Sequence, residues 1–121
     1  MLVDTNVLFD GIVVDGASLS ILTLFELANG VTTATDARQR AARQRRCDVA
    51  LAVFDPFPVS RRVLEAYPAI DAAVVAVGRK PRPRRVDLII AATARAHGLP
   101  FVTSNVDDYR GLEDLVDVRR P

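Results

Sequence analysis

The sequence has very few of the side chains on which most enzyme chemistry depends. Its 121 residues include one histidine, His97, one cysteine, Cys47, and no tryptophan. Acid–base chemistry by two histidines is therefore excluded, and so is a zinc site built from the usual nitrogen and sulfur ligands. Neither a GxGxxG motif nor a GxxxxGK motif followed by serine or threonine is present, so nucleotide cofactors have no recognisable phosphate-binding loop.

Features of secreted and membrane proteins are also missing. Cys47 has no partner for an intramolecular disulfide, which is typical of a reducing compartment. No apolar run approaches the ~18 residues that a transmembrane helix needs. Asp4 and Asp10 interrupt the apolar start and no basic segment precedes it, so no signal peptide is predicted. We therefore expect a cytoplasmic protein without membrane association.

Length and composition predict a single globular domain over residues 1–121. Hydrophobic residues make up 50% of the chain and charged residues 26%, which is ordinary for a folded protein. The net charge is only +1, but ten of the sixteen basic residues lie in two blocks, Arg38–Arg46 and Arg79–Arg85. Fifteen of the sixteen are arginine, whose planar fork of donors suits phosphate.

The two basic blocks have two interpretations. They indicate either contact with nucleic acid or solvated surfaces in an arginine-rich composition. The first block could guide RNA by phosphate contacts, and the second leads directly into Asp87, which makes it the better candidate for substrate contact. The RNA-binding residues predicted in the second block are Arg79, Lys80, Arg82, Arg84 and Arg85.

Hydrophobic patterning predicts strands that alternate with helices. Strands are expected at residues 1–3, 17–22, 99–103 and 115–118, and helices at 24–28, 35–54, 60–77 and 87–97. Thr33 and Asp36 should open the long helix as a capping box, and Pro68 should kink or divide the next one. This order implies an α/β fold in which a mostly parallel central sheet of about four to five short strands is flanked by helices on both faces.

Carboxylates are the side chains left for chemistry, and several follow predicted strands. Asp4 comes directly after the first strand, and Asn105, Asp107 and Asp108 follow the strand at 99–103. In open parallel sheets, functional groups gather beyond the carboxyl ends of the strands. We therefore expect these residues to share one edge of the sheet.

Two further carboxylates could reach the same crevice. Glu26 is the one charge in an apolar stretch after the second strand, and Asp87 stands at the start of a helix. Carboxylates that share a crevice repel one another unless a cation neutralises them. Oxygen ligands select hard ions, which favours Mg²⁺ or Mn²⁺ and phosphodiester cleavage, with a calcium or structural site as the alternative.

Four segments also carry motifs in a recognisable order. They are residues 4–8 (DTNVL), 23–30 (TLFELANG), 87–94 (DLIIAATA, followed by Gly98) and 103–109 (TSNVDDY). Together they resemble the four motifs of PIN-domain nucleases, and most of all the VapC-type toxins of bacterial toxin–antitoxin pairs. Each motif is weak by itself, but the four in order, from Met1 to about Val118, are specific.

The resemblance implies a PIN-like fold and assigns roles residue by residue. The implied catalytic and metal-binding residues are Asp4, Glu26, Asp87 and Asp108. The implied supporting residues are Thr5, Asn6, Thr103, Asn105 and Asp107. Asp107 could hold the fourth acidic place, but Asp108, directly before the aromatic Tyr109, aligns better.

The resemblance further implies the activity and the partners. The activity would be that of an Mg²⁺-dependent endoribonuclease, with Mn²⁺ as a substitute, in which a metal-activated water hydrolyses RNA. The partners would be RNA, a cognate antitoxin that blocks the crevice, and a second copy of the chain in a homodimer, or a hetero-oligomer with the antitoxin.

Three alternatives remain open at this point. A haloacid-dehalogenase-type phosphatase shares features of the first and fourth motifs, but it needs an aspartate where Asn6 stands and a lysine later in the chain than Lys80. A non-catalytic binding module could keep the fold without its chemistry. Glu26 and Asp87 could also be structural, as helix caps or ion pairs with the second basic block, and Asp87 is expected to cap its helix in any case.

Overall fold

The computed structural model describes all residues, Met1–Pro121. The three strands are β1 (Leu2–Val3), β2 (Phe101–Val102) and β3 (Val118–Arg119). The five α-helices are α1 (Thr5–Phe9), α2 (Ile21–Thr32), α3 (Ala37–Val53), α4 (Arg61–Ala76) and α5 (Arg85–Ala96). Two short 3₁₀ turns cover Arg82–Arg84 and Val106–Tyr109. None of the helices combines the length and the apolar character needed to cross a bilayer.

The sheet is parallel and has β2 at its centre. Leu2 of β1 stands opposite Phe101 of β2, and Phe101 stands opposite Val118 of β3. Parallel neighbours require long crossover connections, and all five helices, α1 to α5, lie between β1 and β2 in the chain. The predicted α/β fold with a parallel sheet is confirmed.

Helices cover both faces of the sheet. Successive strand residues point to opposite sides, and the apolar side chains on each side are buried against helices. Leu2 and Phe101 are buried in a cluster with apolar residues of α4 and α5. Val3 and Val102, the next residues along, are buried in a second cluster with residues of α2 and α3, among them Cys47. Because β1 and β2 are parallel neighbours, their carboxyl ends lie side by side between these two clusters.

The sheet has three strands rather than the four to five that were predicted. Residues 17–22 do not form a strand: Ser18 and Ser20 make only single bridges, to Leu2 and Phe57. The reason is local, since the Ser20 side chain accepts a hydrogen bond from Leu22 N at 3.1 Å and caps α2, which begins at Ile21. The last two strands are also displaced or shorter than the predicted ranges 99–103 and 115–118.

Three helix predictions were wrong in detail. No helix was predicted between residues 4 and 16, but Asp4 caps the short helix α1. Helix α3 is capped by Asp36, which accepts from Gln39 N at 2.7 Å, and not by Thr33. Pro68 does not divide α4, because it lies on an exposed face where water can satisfy the carbonyl group that loses its partner.

The glycines provide a test of this backbone. Gly30 lies inside α2 without a positive φ, and an added Cβ would meet only Phe9 and Arg43, at 3.9 Å. Gly30→Ala is therefore expected to raise the free energy of unfolding by about 0.5–1 kcal/mol in urea denaturation, because alanine favours the helix. Gly98, after α5, has a φ of +62°. Gly98→Ala should therefore lower the free energy of unfolding by about 1 kcal/mol, and equal effects of the two changes would contradict the backbone described.

Candidate active site

Four predicted acidic residues lie around one pocket at the carboxyl ends of β1 and β2. The pocket has a volume of about 200 Å³, and we call it the acid pocket. The acidic residues that line it are Asp4, Glu26, Asp87 and Asp108. The chain thus brings together side chains from the end of β1, from α2, from α5 and from the last 3₁₀ turn.

Asp4 is the most buried of these carboxylates, with 3% of its surface exposed. Its Oδ1 accepts from the backbone N–H of Thr5 at 2.8 Å. Its Oδ2 accepts from the hydroxyls of Thr103 at 2.9 Å and Tyr109 at 2.8 Å. Three donors from both ends of the chain therefore fix the orientation of this carboxylate.

The predicted supporting residues Asn6, Thr103 and Asn105 form the network behind Asp4. The Thr103 hydroxyl, which donates to Asp4, accepts from Asn6 Nδ2 at 3.1 Å and from the backbone N–H of Asn105 at 3.2 Å. Asn6 Oδ1 in turn accepts from the backbone N–H of Ser104 at 3.1 Å. Asn6 therefore joins the segment after β1 to the segment after β2.

Thr5 connects Asp4 with Glu26. Its hydroxyl donates to Glu26 Oε1 at 2.7 Å while its backbone N–H donates to Asp4. The Thr5 hydroxyl oxygen also lies 3.0 Å from that of Thr23, a buried residue one helical turn before Glu26. These contacts hold two carboxylates on the same side of the pocket.

Asp87 does not cap its helix, contrary to the prediction. Helix α5 begins at Arg85, so Asp87 lies inside the first turn, and no side chain caps the helix. Arg84 Nη2 forms an ion pair with Asp87 Oδ2 at 3.4 Å, and its guanidinium lies 4.8 Å from the centre of the Tyr109 ring. Arg84, predicted as an RNA contact, thus supplies the positive charge within the acid pocket.

The second basic block packs against the turn that carries Asp108. The guanidinium of Arg79 donates to the Asp108 carbonyl at 2.9 Å, and Arg84 donates to the same oxygen. Asp107 and Asp108 are both exposed, but only Asp108 lines the pocket. Lys80, Arg82 and Arg85, the other residues predicted to contact RNA, are exposed.

The electrostatics of the acid pocket oppose full ionisation. Burial raises the pKa of Asp4 and of Glu26, and the charge of Asp87 raises both further. Burial and the neighbouring carboxylates also raise the pKa of the Tyr109 hydroxyl, which therefore stays a neutral donor. The ionised forms of Asp4 and Glu26 are therefore disfavoured, and a cation beside them would favour both.

The donor set fits a hard divalent cation by its chemistry. All candidate ligands are carboxylate oxygens, which suit Mg²⁺ or Mn²⁺. No three acidic, histidine or cysteine side chains are grouped closely enough to hold an ion in this conformation, so the carboxylates surround the pocket without converging. The fit rests on their chemical type, on the burial of Asp4 and Glu26, and on the repulsion of these two carboxylates by Asp87.

Sequence reasoning missed three contributors to the site. Tyr109 served only to align Asp108, although its hydroxyl binds Asp4. Thr23 was read as part of a motif, and its burial beside Thr5 was not anticipated. Arg84 was predicted as an RNA contact, and an ion pair of Asp87 with its block was left open, but the position of Arg84 inside the acid pocket was not predicted.

The raised pKa values predict how stability depends on pH. In the folded state Asp4 and Glu26 bind protons more tightly than in the unfolded chain. The stability that these two groups contribute to the folded state is therefore fully present below about pH 4. It is lost as the pH rises through their folded-state pKa values. In urea denaturation without divalent cations, the Asp4→Asn/Glu26→Gln variant should gain stability relative to wild type as the pH rises. A constant or shrinking difference would contradict this electrostatic account.

Comparison with known proteins agrees with this geometry. The sequence profile of the PIN domain matches residues 1–110. No curated protein sequence matches the chain. Among solved structures, it is similar to VapBC-5 from Mycobacterium tuberculosis, a member of the VapBC family of toxin–antitoxin systems, with 27% identity and a TM-score of 0.82 over 98% of this chain and 94% of that one.

Two more distant structures share the fold. VapBC2 from Rickettsia felis, bound to a DNA fragment from its promoter, is 19% identical with a TM-score of 0.80 over 99% of this chain and 97% of that one. FitAcB from Neisseria gonorrhoeae is 24% identical with a TM-score of 0.76 over 97% of this chain and 94% of that one.

Proposed function

This chain belongs to the PIN domain family, whose members are generally nucleases, and from that premise we propose that it is an Mg²⁺-dependent endoribonuclease acting as the toxin of a toxin–antitoxin pair. The observation that carries the proposal is the acid pocket, in which Asp4, Glu26, Asp87 and Asp108 lie together at the carboxyl ends of two parallel strands. Their chemistry fits the family better than a purely structural role.

The four carboxylates would hold the cation. When bound, Mg²⁺, or Mn²⁺ in its place, would activate the attacking water and offset charge on the phosphate. Thr103 and Tyr109 hold Asp4 in one orientation, and Thr5 holds Glu26. Because these donors are neutral hydroxyls, they orient the carboxylates without neutralising them.

The cations of the second basic block would bind the substrate. Arg84 reaches into the acid pocket, where its planar fork can meet a phosphate oxygen. Arg79 is tied to the Asp108 turn, and the exposed Lys80, Arg82 and Arg85 extend the positive surface beside the pocket. This arrangement supports RNA contact along the loop that leads into α5.

The partner proposal rests on similarity to VapBC-5, which belongs to a toxin–antitoxin system. We expect a cognate antitoxin that covers the acid pocket, and a homodimer or a hetero-oligomer with the antitoxin in the cytoplasm. Exposed apolar side chains on α3, namely Val49, Leu51 and Val53, support contact with another protein surface.

The rival hypotheses receive less support from the pocket. A phosphatase of the haloacid-dehalogenase type needs a second acid at position 6, but Asn6 is hydrogen-bonded to Thr103 and Ser104 as a structural amide. Lys80 does not line the pocket either. A non-catalytic module would have no use for two neighbouring carboxylates, Asp4 and Glu26, that are buried at an electrostatic cost.

The direct test compares matched nucleic acids. Purified chain, freed of any antitoxin, is incubated in Mg²⁺ with a labelled RNA that has paired and unpaired regions, and with DNA of the same sequence. We expect internal cleavage of the RNA at defined positions and little cleavage of the DNA. Equal cleavage of both would contradict the RNA assignment, and cleavage of neither would contradict the nuclease proposal.

A further inference from the structure

A second, larger concavity adjoins the acid pocket. It lies between α2 and α3, has a volume of about 870 Å³, and we call it the α2–α3 groove. Phe9 and Glu26 line both the groove and the acid pocket, so the two are continuous. A chain that places one of its bonds in the acid pocket can therefore extend into the groove.

The groove combines arginine with exposed aromatic rings. Phe25, directly before Glu26, is 67% exposed, and Phe9 is 43% exposed. Arg46 places its guanidinium 5.7 Å from the centre of the Phe9 ring. Arg43 is fixed beside them, because its Nη1 donates to the Gly30 carbonyl at 2.7 Å. Exposed rings beside cations are a combination on which single-stranded nucleic acids bind.

We propose that the α2–α3 groove binds an unpaired segment of the RNA next to the scissile bond, with a base stacked on Phe25 and a phosphate bound by Arg46. This inference rests on the proposed ribonuclease function. The bases of a duplex are already stacked on one another, so only an unpaired base can cover Phe25. The volume is within the range of pockets that enclose whole small molecules, which is enough for a nucleotide.

The exposed aromatic rings favour RNA over an acidic peptide as the occupant. Both would be attracted by Arg43 and Arg46, but the groove leads past Glu26 into the acid pocket. Both occupants are anionic and would meet like charges there, so charge does not decide between them. Bases can stack on the exposed rings of Phe25 and Phe9, whereas acidic side chains cannot. A phosphodiester strand would also pass its scissile group to the residues proposed to cleave it.

The test measures cleavage kinetics and RNA binding of Phe25→Ala, Arg46→Ala and the double variant in Mg²⁺. Loss of one stacked base is expected to raise KM, and the Kd for RNA, by about 5- to 100-fold for an unpaired substrate, with a smaller change in kcat. Arg46→Ala should also reduce the slope of the logarithm of the RNA-binding constant against the logarithm of the salt concentration by about one. Leu64→Ala, where the side chain is 66% exposed, and Arg62→Ala, also at an exposed position of α4, are matched controls outside the groove and outside both basic blocks, expected to stay within about twofold of wild type.

The outcomes separate this inference from the function on which it rests. Suppose that wild type cleaves RNA, and that Phe25→Ala, Arg46→Ala and the double variant bind and cleave RNA equally well. The groove proposal is then overturned, while the proposed ribonuclease function stands. If RNA binding is unchanged but an antitoxin peptide loses affinity, the occupant is a protein and the proposal is equally overturned. Wild type that neither binds nor cleaves RNA would refute the proposed function itself.

Discussion

Asp4→Asn is expected to reduce the rate of RNA cleavage by about 10²- to 10³-fold, the scale on which removal of one preorganised electrostatic group acts. The amide keeps the shape of the carboxylate but not its charge, so it would be a poor ligand for a divalent cation. Thr5 N–H can still donate to its oxygen, and the Tyr109 hydroxyl can rotate to accept from its nitrogen. Only the hydrogen bond with Thr103 is lost, because that hydroxyl already accepts from Asn6 and Asn105. The variant should therefore fold.

Asp107→Asn is the matched control for this prediction. Asp107 is one residue from Asp108, but it is exposed and does not line the acid pocket. The Asp107→Asn protein should cleave RNA at a rate within about twofold of wild type, since a substitution at an exposed position away from the pocket changes stability little. A folded Asp4→Asn protein with full activity, or a loss of equal size in Asp107→Asn, would remove Asp4 from the proposed mechanism.

Phe101→Ala is expected to lower the free energy of unfolding by about 3–5 kcal/mol, measured by urea denaturation. Phe101 is fully buried in β2, the central strand, which pairs with both others. Its ring packs edge-on against Tyr109, with 4.9 Å between ring centres and an angle of 87° between the planes. The truncation would leave a cavity between the sheet and the helices α4 and α5, and it would remove the support of the tyrosine that binds Asp4.

Phe25→Ala is the matched control, since it removes the same atoms from an exposed ring. We expect it to change the free energy of unfolding by no more than about 0.5 kcal/mol. Similar costs for the two substitutions would contradict the core described here. The small effect expected for Phe25 also means that its loss of RNA binding can be measured in a folded protein.

Helices were easier to predict than strands in this chain, and the reason is physical. The long helix α3 is bounded by a capping residue and a proline segment, and both leave clear signals. The strands are two residues long, too short for an alternating pattern to show. The apolar run at residues 17–22 predicted a strand, but Ser20 caps α2, so the extended backbone ends there and the helix begins.

The acidic residues of the site could also be predicted from the sequence, whereas the contacts that orient them could not. Placement after strands and the motif order pointed to Asp4, Glu26, Asp87 and Asp108, and the fold brings all four to one pocket. The contact of Tyr109 with Asp4 joins residues 105 positions apart, and no local pattern predicts that a hydroxyl will point there. The turn of Arg84 into the pocket likewise depends on α5 beginning at Arg85, two residues earlier than predicted.

The central claim is that a divalent cation bound by these carboxylates is required for RNA cleavage. The most direct measurement is the cleavage rate of one labelled RNA by the same protein sample in Mg²⁺, after addition of EDTA, and after Mg²⁺ is restored in excess, with Asp87→Asn treated in parallel. We predict internal cleavage in Mg²⁺, none in EDTA, full recovery on restoration, and little cleavage by Asp87→Asn throughout. Cleavage that continues in EDTA, or a folded Asp87→Asn protein as active as wild type, would contradict the metal-dependent mechanism.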